Sequence, residues 1–83
     1  MARKRLDKKT AVYTPHSGTT VAINYSKARR ILEVEYTGGK TYQYYKVEPE
    51  VWEEYKQTVL LGGSSGIFVN TRVKPYYHDY FEV

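Results

Sequence analysis

The chain has no cysteine, one tryptophan, one methionine, two phenylalanines and three prolines among its 83 residues. Without cysteine there is neither a disulfide scaffold nor a thiolate metal site, two common reinforcements of small domains. No apolar stretch approaches the roughly 20 residues that a membrane-spanning helix needs. Met1-Ala2-Arg3-Lys4-Arg5-Leu6-Asp7 opens with charge but no apolar run follows, so no secretory signal and no membrane association are expected. Together with the missing cysteines, this favours the cytoplasm. Histidine is scarce too, with His16 and His78 near opposite ends of the chain. Combined with Asp79 and Glu82 they fit no metal spacing. Ser65, His78 and Asp79 contain triad residue types, but adjacent His and Asp side chains do not readily orient one another. The expectation is a non-catalytic protein with no metal ligands and no cofactor.

What is abundant is tyrosine, with ten residues. Tyrosine suits half-buried positions, where the ring packs and the hydroxyl finds water or a partner. The chain length allows one domain, and domains this small bury only about 60–65% of the surface of their unfolded chain. Charge is unevenly placed. Arg3, Lys4, Arg5, Lys8 and Lys9 against Asp7 carry the whole formal net charge of +4, and the other residues balance to zero. Residues 1–16 lack hydrophobic periodicity and end in the loop signal Thr14-Pro15-His16-Ser17-Gly18. They are expected to form a mobile basic arm in which Val12 and Tyr13 are the candidates for docking. Such an arm attracts phosphates by counterion release, or serves only as a solubilising tail.

Three strands follow from alternation. Thr20 to Tyr25 places Val21, Ile23 and Tyr25 on one side. Arg30 to Tyr36 places Leu32, Val34 and Tyr36 opposite Ile31, Glu33 and Glu35, and Thr41 to Val47 returns after Thr37-Gly38-Gly39-Lys40. The glycine turn decides where the tyrosines point. A two-residue turn pairs Glu35 with Tyr42, whereas a three-residue turn ending in a left-handed Gly39 pairs Tyr36 with Lys40 and Val34 with Tyr42. The second gathers Leu32, Val34, Tyr36, Tyr42 and Tyr44 on one face and leaves Glu33, Glu35, Thr41 and Gln43 on the other, so it is the register expected. Pro49 starts a helix with Glu50, Glu53 and Glu54 near its positive end, and Val51, Trp52, Tyr55 and Val59 form its apolar face. Gly62-Gly63 stops it. A short helical turn near Phe68 to Lys74 is expected to close over the sheet. The predicted fold class is α+β, a three-stranded antiparallel meander packed on one helix with a short helical or irregular C-terminal segment.

These pieces resemble the KTSC domain, named for its place at the C-terminus of some lysyl-tRNA synthetases and also found as a stand-alone small protein. The resemblance is carried by Ile23-Asn24-Tyr25, then Leu32, Val34, Tyr36, a glycine turn and the central Tyr42-Gln43-Tyr44. It continues through Val47, a helix, Ser64-x-Gly66, Asn70, Val73-Lys74 and Tyr77. The chain departs from the family pattern at Gly18, at Thr20 and in the extra glycine of Gly62-Gly63. The boundaries expected are an arm over residues 1–16, a KTSC-like domain over 17–77 and a tail over 78–83. The resemblance implies RNA binding.

Candidate contacts for nucleic acid are Arg3, Lys4 and Arg5 on the arm, Lys27, Arg29 and Arg30 at the first turn, and Arg72 and Lys74 after the glycine-serine loop. Lys40 and Lys46 lie near the same hairpins. Tyr42 and Tyr44 can stack bases only from an open face, but the register turns them into the core and leaves Tyr45, on the opposite face, as the candidate ring for base stacking. Tyr42, Tyr44, Ser64, Gly66, Asn70 and Tyr77 are family-motif positions expected to be structural, with Asn70 bonding neighbouring backbone. The glycine-serine loop is not a P-loop, since no Lys-Ser/Thr follows it and a helix precedes it. The function expected is a monomeric binding module for RNA or other nucleic acid. The alternative is a module for a protein partner, using a strand edge or the aromatic segment Tyr76, Tyr77, Tyr80 and Phe81.

Overall fold

The computed structural model describes residues 4–83. Its centre is the expected meander: β2 (Thr20–Ser26), β3 (Ile31–Tyr36) and β4 (Thr41–Tyr44), each antiparallel to the next. Leu32 lies opposite Tyr44 and Val34 opposite Tyr42, and the Tyr36 N–H donates to the Lys40 carbonyl at 2.7 Å. This is the three-residue turn. Gly38 and Gly39 both have φ near +90°, which a side chain would oppose. One expected alternation fails: the β2–β3 pairing slips by a residue between Thr20 and Ala22, so Thr20 is buried and Val21 turns outward.

The sheet has five strands, not three. β1 (Val12–Tyr13) pairs with β2, and β5 (Tyr80–Glu82) pairs with β4, giving the spatial order β1-β2-β3-β4-β5. Both additions cover an edge of the meander. At two and three residues they are too short for alternation to reveal them. The tail expected over 78–83 is therefore part of the sheet.

Helix α1 (Pro49–Leu60) begins with Pro49 in its first turn and buries Tyr55 and Val59. It ends in a Schellman arrangement, with the Gly62 N–H donating to the Val59 carbonyl (3.0 Å) and the Gly63 N–H to the Thr58 carbonyl (2.8 Å). The two glycines have separate reasons. Gly62 has φ +86°, and a β-carbon at Gly63 would lie 2.9 Å from the Thr58 carbonyl oxygen. Ser64 Oγ then accepts from the Ile67 N–H and caps α2 (Ser65–Phe68), which runs on into a π-helical turn over Val69–Val73. Phe68 stacks on Tyr55 at 4.3 Å, and the Tyr55 hydroxyl meets Ser65 Oγ at 2.6 Å. A β-carbon at Gly66 would overlap Thr19 Oγ1. Ile23, Tyr25, Leu32, Val34, Tyr44, Val47, Tyr55, Val59, Phe68, Val69 and Val73 form the core between sheet and helices.

The arm does not stand apart from the domain. Its described residues, from Lys4 onward, cross the face of the sheet opposite the helices, where Leu6 is 9% exposed. The Leu6 N–H donates to Glu33 Oε1 (3.0 Å), and Arg5 pairs with Glu33 (3.0 Å) and Glu35 (3.2 Å). Asn24 Nδ2 donates to the Asp7 carbonyl (2.8 Å), and Thr10 Oγ1 donates to Asn24 Oδ1 (2.6 Å). Lys8–Thr10 make one 3-10 turn before β1. The domain thus has three layers: a strap, the sheet and the helices. The cause is the polar face itself, because Glu33, Gln43 and Asn24 need partners once covered, and the strap supplies them.

Candidate nucleic-acid interface

Alternation along β3, β4 and β5 brings Tyr36, Tyr42, Tyr44 and Tyr80 to the helix side of the sheet. Their exposure differs: Tyr44 is 3% exposed, Tyr36 and Tyr42 are half-buried, and Tyr80, directly opposite Tyr44, is 51% exposed. The rings meet at angles: Tyr42 is edge-on to Tyr36 (5.8 Å) and to Tyr80 (5.9 Å), while Tyr44 tilts against Tyr80 at 5.5 Å. The segment after the π-helical turn adds Lys74, Tyr77 and His78, and together these residues line a groove of about 340 Å³. Lys74 Nζ sits 5.5 Å from the centre of the Tyr36 ring, within cation–π reach.

Two groove phenols share a bond, Tyr36 and Tyr44 meeting oxygen to oxygen at 2.9 Å. Burial, reinforced by that bond, pushes the Tyr36 hydroxyl far above the usual tyrosine range, and burial raises Tyr44 as well. The Tyr36 and Tyr44 phenols are therefore held neutral near the Lys74 ammonium. The groove's volume is at the lower end of the roughly 300–1,000 Å³ of ligand pockets, so it suits one flat ring.

The remaining candidates lie elsewhere. Lys27, Arg29 and Arg30 are exposed in the β2–β3 turn. Arg30 (φ 54°) and Lys46 (φ 61°) are the non-glycine residues with left-handed backbone among those described. The Val47 N–H donates to the Arg30 carbonyl at 3.0 Å, so both left-handed cations belong to one end of the sheet. Lys4 is exposed, and its carbonyl accepts from Gln43 Nε2. Arg5 is held by two carboxylates, and Arg3 lies outside the described residues. Arg72 makes a two-pronged pair with Glu54 at 2.6 and 3.0 Å, which engages it at the surface.

Tyr45 is half-buried on the strap side of the sheet, where its hydroxyl donates to Gln43 Oε1 (3.1 Å) and its ring meets the edge of Phe81 at 5.5 Å. Tyr44, Ser64 and Gly66 are structural in the ways described. Asn70 is exposed on the π-helical turn. The sequence reading assigned Tyr36 to the core and Tyr80 to the tail. Among the described residues no cluster of three or more His, Asp or Glu is placed to hold a metal ion. No helix there is long and apolar enough to cross a membrane.

Fold and groove define a small α+β domain with an antiparallel meander, helices on one face and a tyrosine row at the margin. The chain belongs to the KTSC domain family, whose profile matches residues 16–77. It is similar to a protein of Tsukamurella paurometabola, 44% identical over 59 residues, covering 71% of this chain and 82% of that protein. An uncharacterised protein of Stutzerimonas stutzeri is 33% identical over 67 residues, covering 81% and 89%. The crystal structure of a KTSC domain protein from Yersinia pestis superimposes with a TM-score of 0.62 at 26% identity, covering 81% of this chain and 87% of that one.

Proposed function

We propose that this domain is a non-catalytic module that binds single-stranded nucleic acid, RNA foremost, by seating a base in the tyrosine groove. The observation that carries this is the groove itself, in which half-buried Tyr36 and Tyr42 and exposed Tyr80 leave aromatic surface open near the Lys74 ammonium. Aromatic platforms of this kind stack bases with little regard to sequence, at about 1–3 kcal/mol each. Lys74 supplies charge at the groove, and the exposed turn with Lys27, Arg29, Arg30 and Lys46 offers phosphate contacts at the end of the sheet. The RNA binding implied by the family resemblance points the same way.

The test is titration of the chain with a short single-stranded RNA, followed residue by residue by NMR. At low salt the signals of Tyr42, Lys74 and Tyr80 should shift, and affinity should fall steeply as salt rises. Tyr80→Ala should weaken binding by about 1–3 kcal/mol. Lys74→Ala should flatten the salt slope by about 0.7, the share of one phosphate on a single strand. Groove signals that stay still at low salt overturn the assignment.

A further inference from the structure

A second site lies on the opposite face of the sheet, away from the tyrosine groove. Glu33 is 3% exposed and Gln43 0%, although both sit on the polar side of the meander, which a two-layer domain would leave in water. Three of their neighbourhood's side chains bond main-chain atoms of the strap. Gln43 Nε2 donates to the Lys4 carbonyl (2.8 Å), Glu33 Oε1 accepts from the Leu6 N–H (3.0 Å), and Asn24 Nδ2 donates to the Asp7 carbonyl (2.8 Å). Bonds of this kind hold an extended backbone whatever its side chains. Selectivity comes from two positions: Arg5, bridging Glu33 and Glu35, and Leu6, buried beside it.

The strap lies outside residues 16–77, where the family profile matches, whereas Asn24, Glu33, Glu35 and Gln43 lie within it. The receptor residues thus fall within the matched stretch, and the bound segment lies outside it. Every buried side-chain nitrogen and oxygen of the described residues has a partner. With the strap lifted the Glu33 carboxylate returns to water, so any segment that covers the face again has to bring a partner for that charge, as Arg5 does.

We propose that this face is a peptide-binding site, filled here in cis by residues 4–10, whose ligand is an extended peptide carrying an arginine followed by an apolar residue. In the intact chain the strap competes from an effective concentration of about millimolar, which keeps such a peptide out. Weakening the strap opens the site.

The experiment uses the full chain carrying Arg5→Ala and Leu6→Ala, titrated with a synthetic peptide of residues 1–11. The side-chain amide signals of Gln43 and Asn24 should shift on titration, and the unmodified chain should take up the peptide at least about tenfold more weakly. A control peptide with the same two alanines keeps Lys4, Lys8 and Lys9, so it removes the selective contacts and retains most of the charge. It should bind at least about tenfold more weakly than the original. A folded double variant whose Gln43 and Asn24 amides ignore the peptide overturns the assignment, as does equal binding of the control. Should the double variant fail to fold, amide hydrogen exchange on the unmodified chain decides. The Leu6 amide should exchange through local opening, at least about tenfold faster than that of Leu32. Equal protection would make the strap an inseparable part of the fold and end the proposal.

Discussion

Gly63 shows how a departure from a family pattern acquires a physical cause. Its N–H bonds the Thr58 carbonyl, and the backbone at that point leaves no room for a β-carbon. The obstruction is the Thr58 methyl at 2.7 Å together with the Thr58 carbonyl oxygen at 2.9 Å, and that oxygen, part of the helix backbone, cannot rotate aside as a side chain would. Gly63→Ala is therefore expected to cost about 1–3 kcal/mol, as overpacking does. The expected signature is a lower urea midpoint with an unchanged slope. A midpoint equal to the unmodified chain's would show that the end of α1 can yield. Gly66 differs, because its close neighbour is the Thr19 hydroxyl. At this scale the sequence was readable where backbone geometry demands glycine, as at Gly38-Gly39. It was not readable at Arg30 and Lys46, whose left-handed backbone goes against residue preference.

Among the elements, the β2–β3 turn and the exit from β4 are the places where strain and charge coincide. A left-handed backbone costs a residue with a β-carbon about 1–2 kcal/mol, and such positions concentrate where a site needs them. Lys46→Gly should thus raise stability by about 1 kcal/mol in urea unfolding while lowering affinity for single-stranded RNA. A variant gaining stability with unchanged affinity would remove Lys46 from the interface. The meander itself was legible because β3 alternates cleanly and the glycine turn admits one register that segregates apolar from polar residues. β1 and β5 were not, since two- and three-residue strands exist only by pairing with an edge already present. The strap was equally hidden. It buries one apolar residue, Leu6, and its binding partners lie up to 39 residues away along the chain.

Over the whole molecule, tyrosine makes stability sensitive to alkali. Burial is the largest cause raising Tyr25, Tyr36, Tyr44 and Tyr55 above the ordinary value of 10.0, most strongly for Tyr36 and Tyr55. The folded chain keeps these protons at a pH where the unfolded chain releases them. Their contribution is complete below pH 10 and is lost as pH rises from there toward the folded values. Within that window each rise in pH works against the folded state, most through the phenols raised furthest, Tyr36 and Tyr55. The urea midpoint should hold steady up to about pH 9 and fall above pH 10, with Tyr55→Phe removing part of the fall. A fall of the same size in Tyr55→Phe would clear that phenol of any part in it.

By itself the sequence determined the family, the meander, its register and the helix with both its ends. Those features follow from neighbouring residues, through period-two alternation, a proline start and glycines that alone tolerate the required backbone. Only the tertiary structure decided that the basic arm is a strap, that Glu33 and Gln43 are buried, and that Tyr36, Tyr42 and Tyr80 share a groove with Lys74. These depend on which distant segments meet. A polar side chain reads as solvated until a partner from far along the chain arrives to satisfy it, and an aromatic ring reads as core until the covering helices are seen to stop short of it.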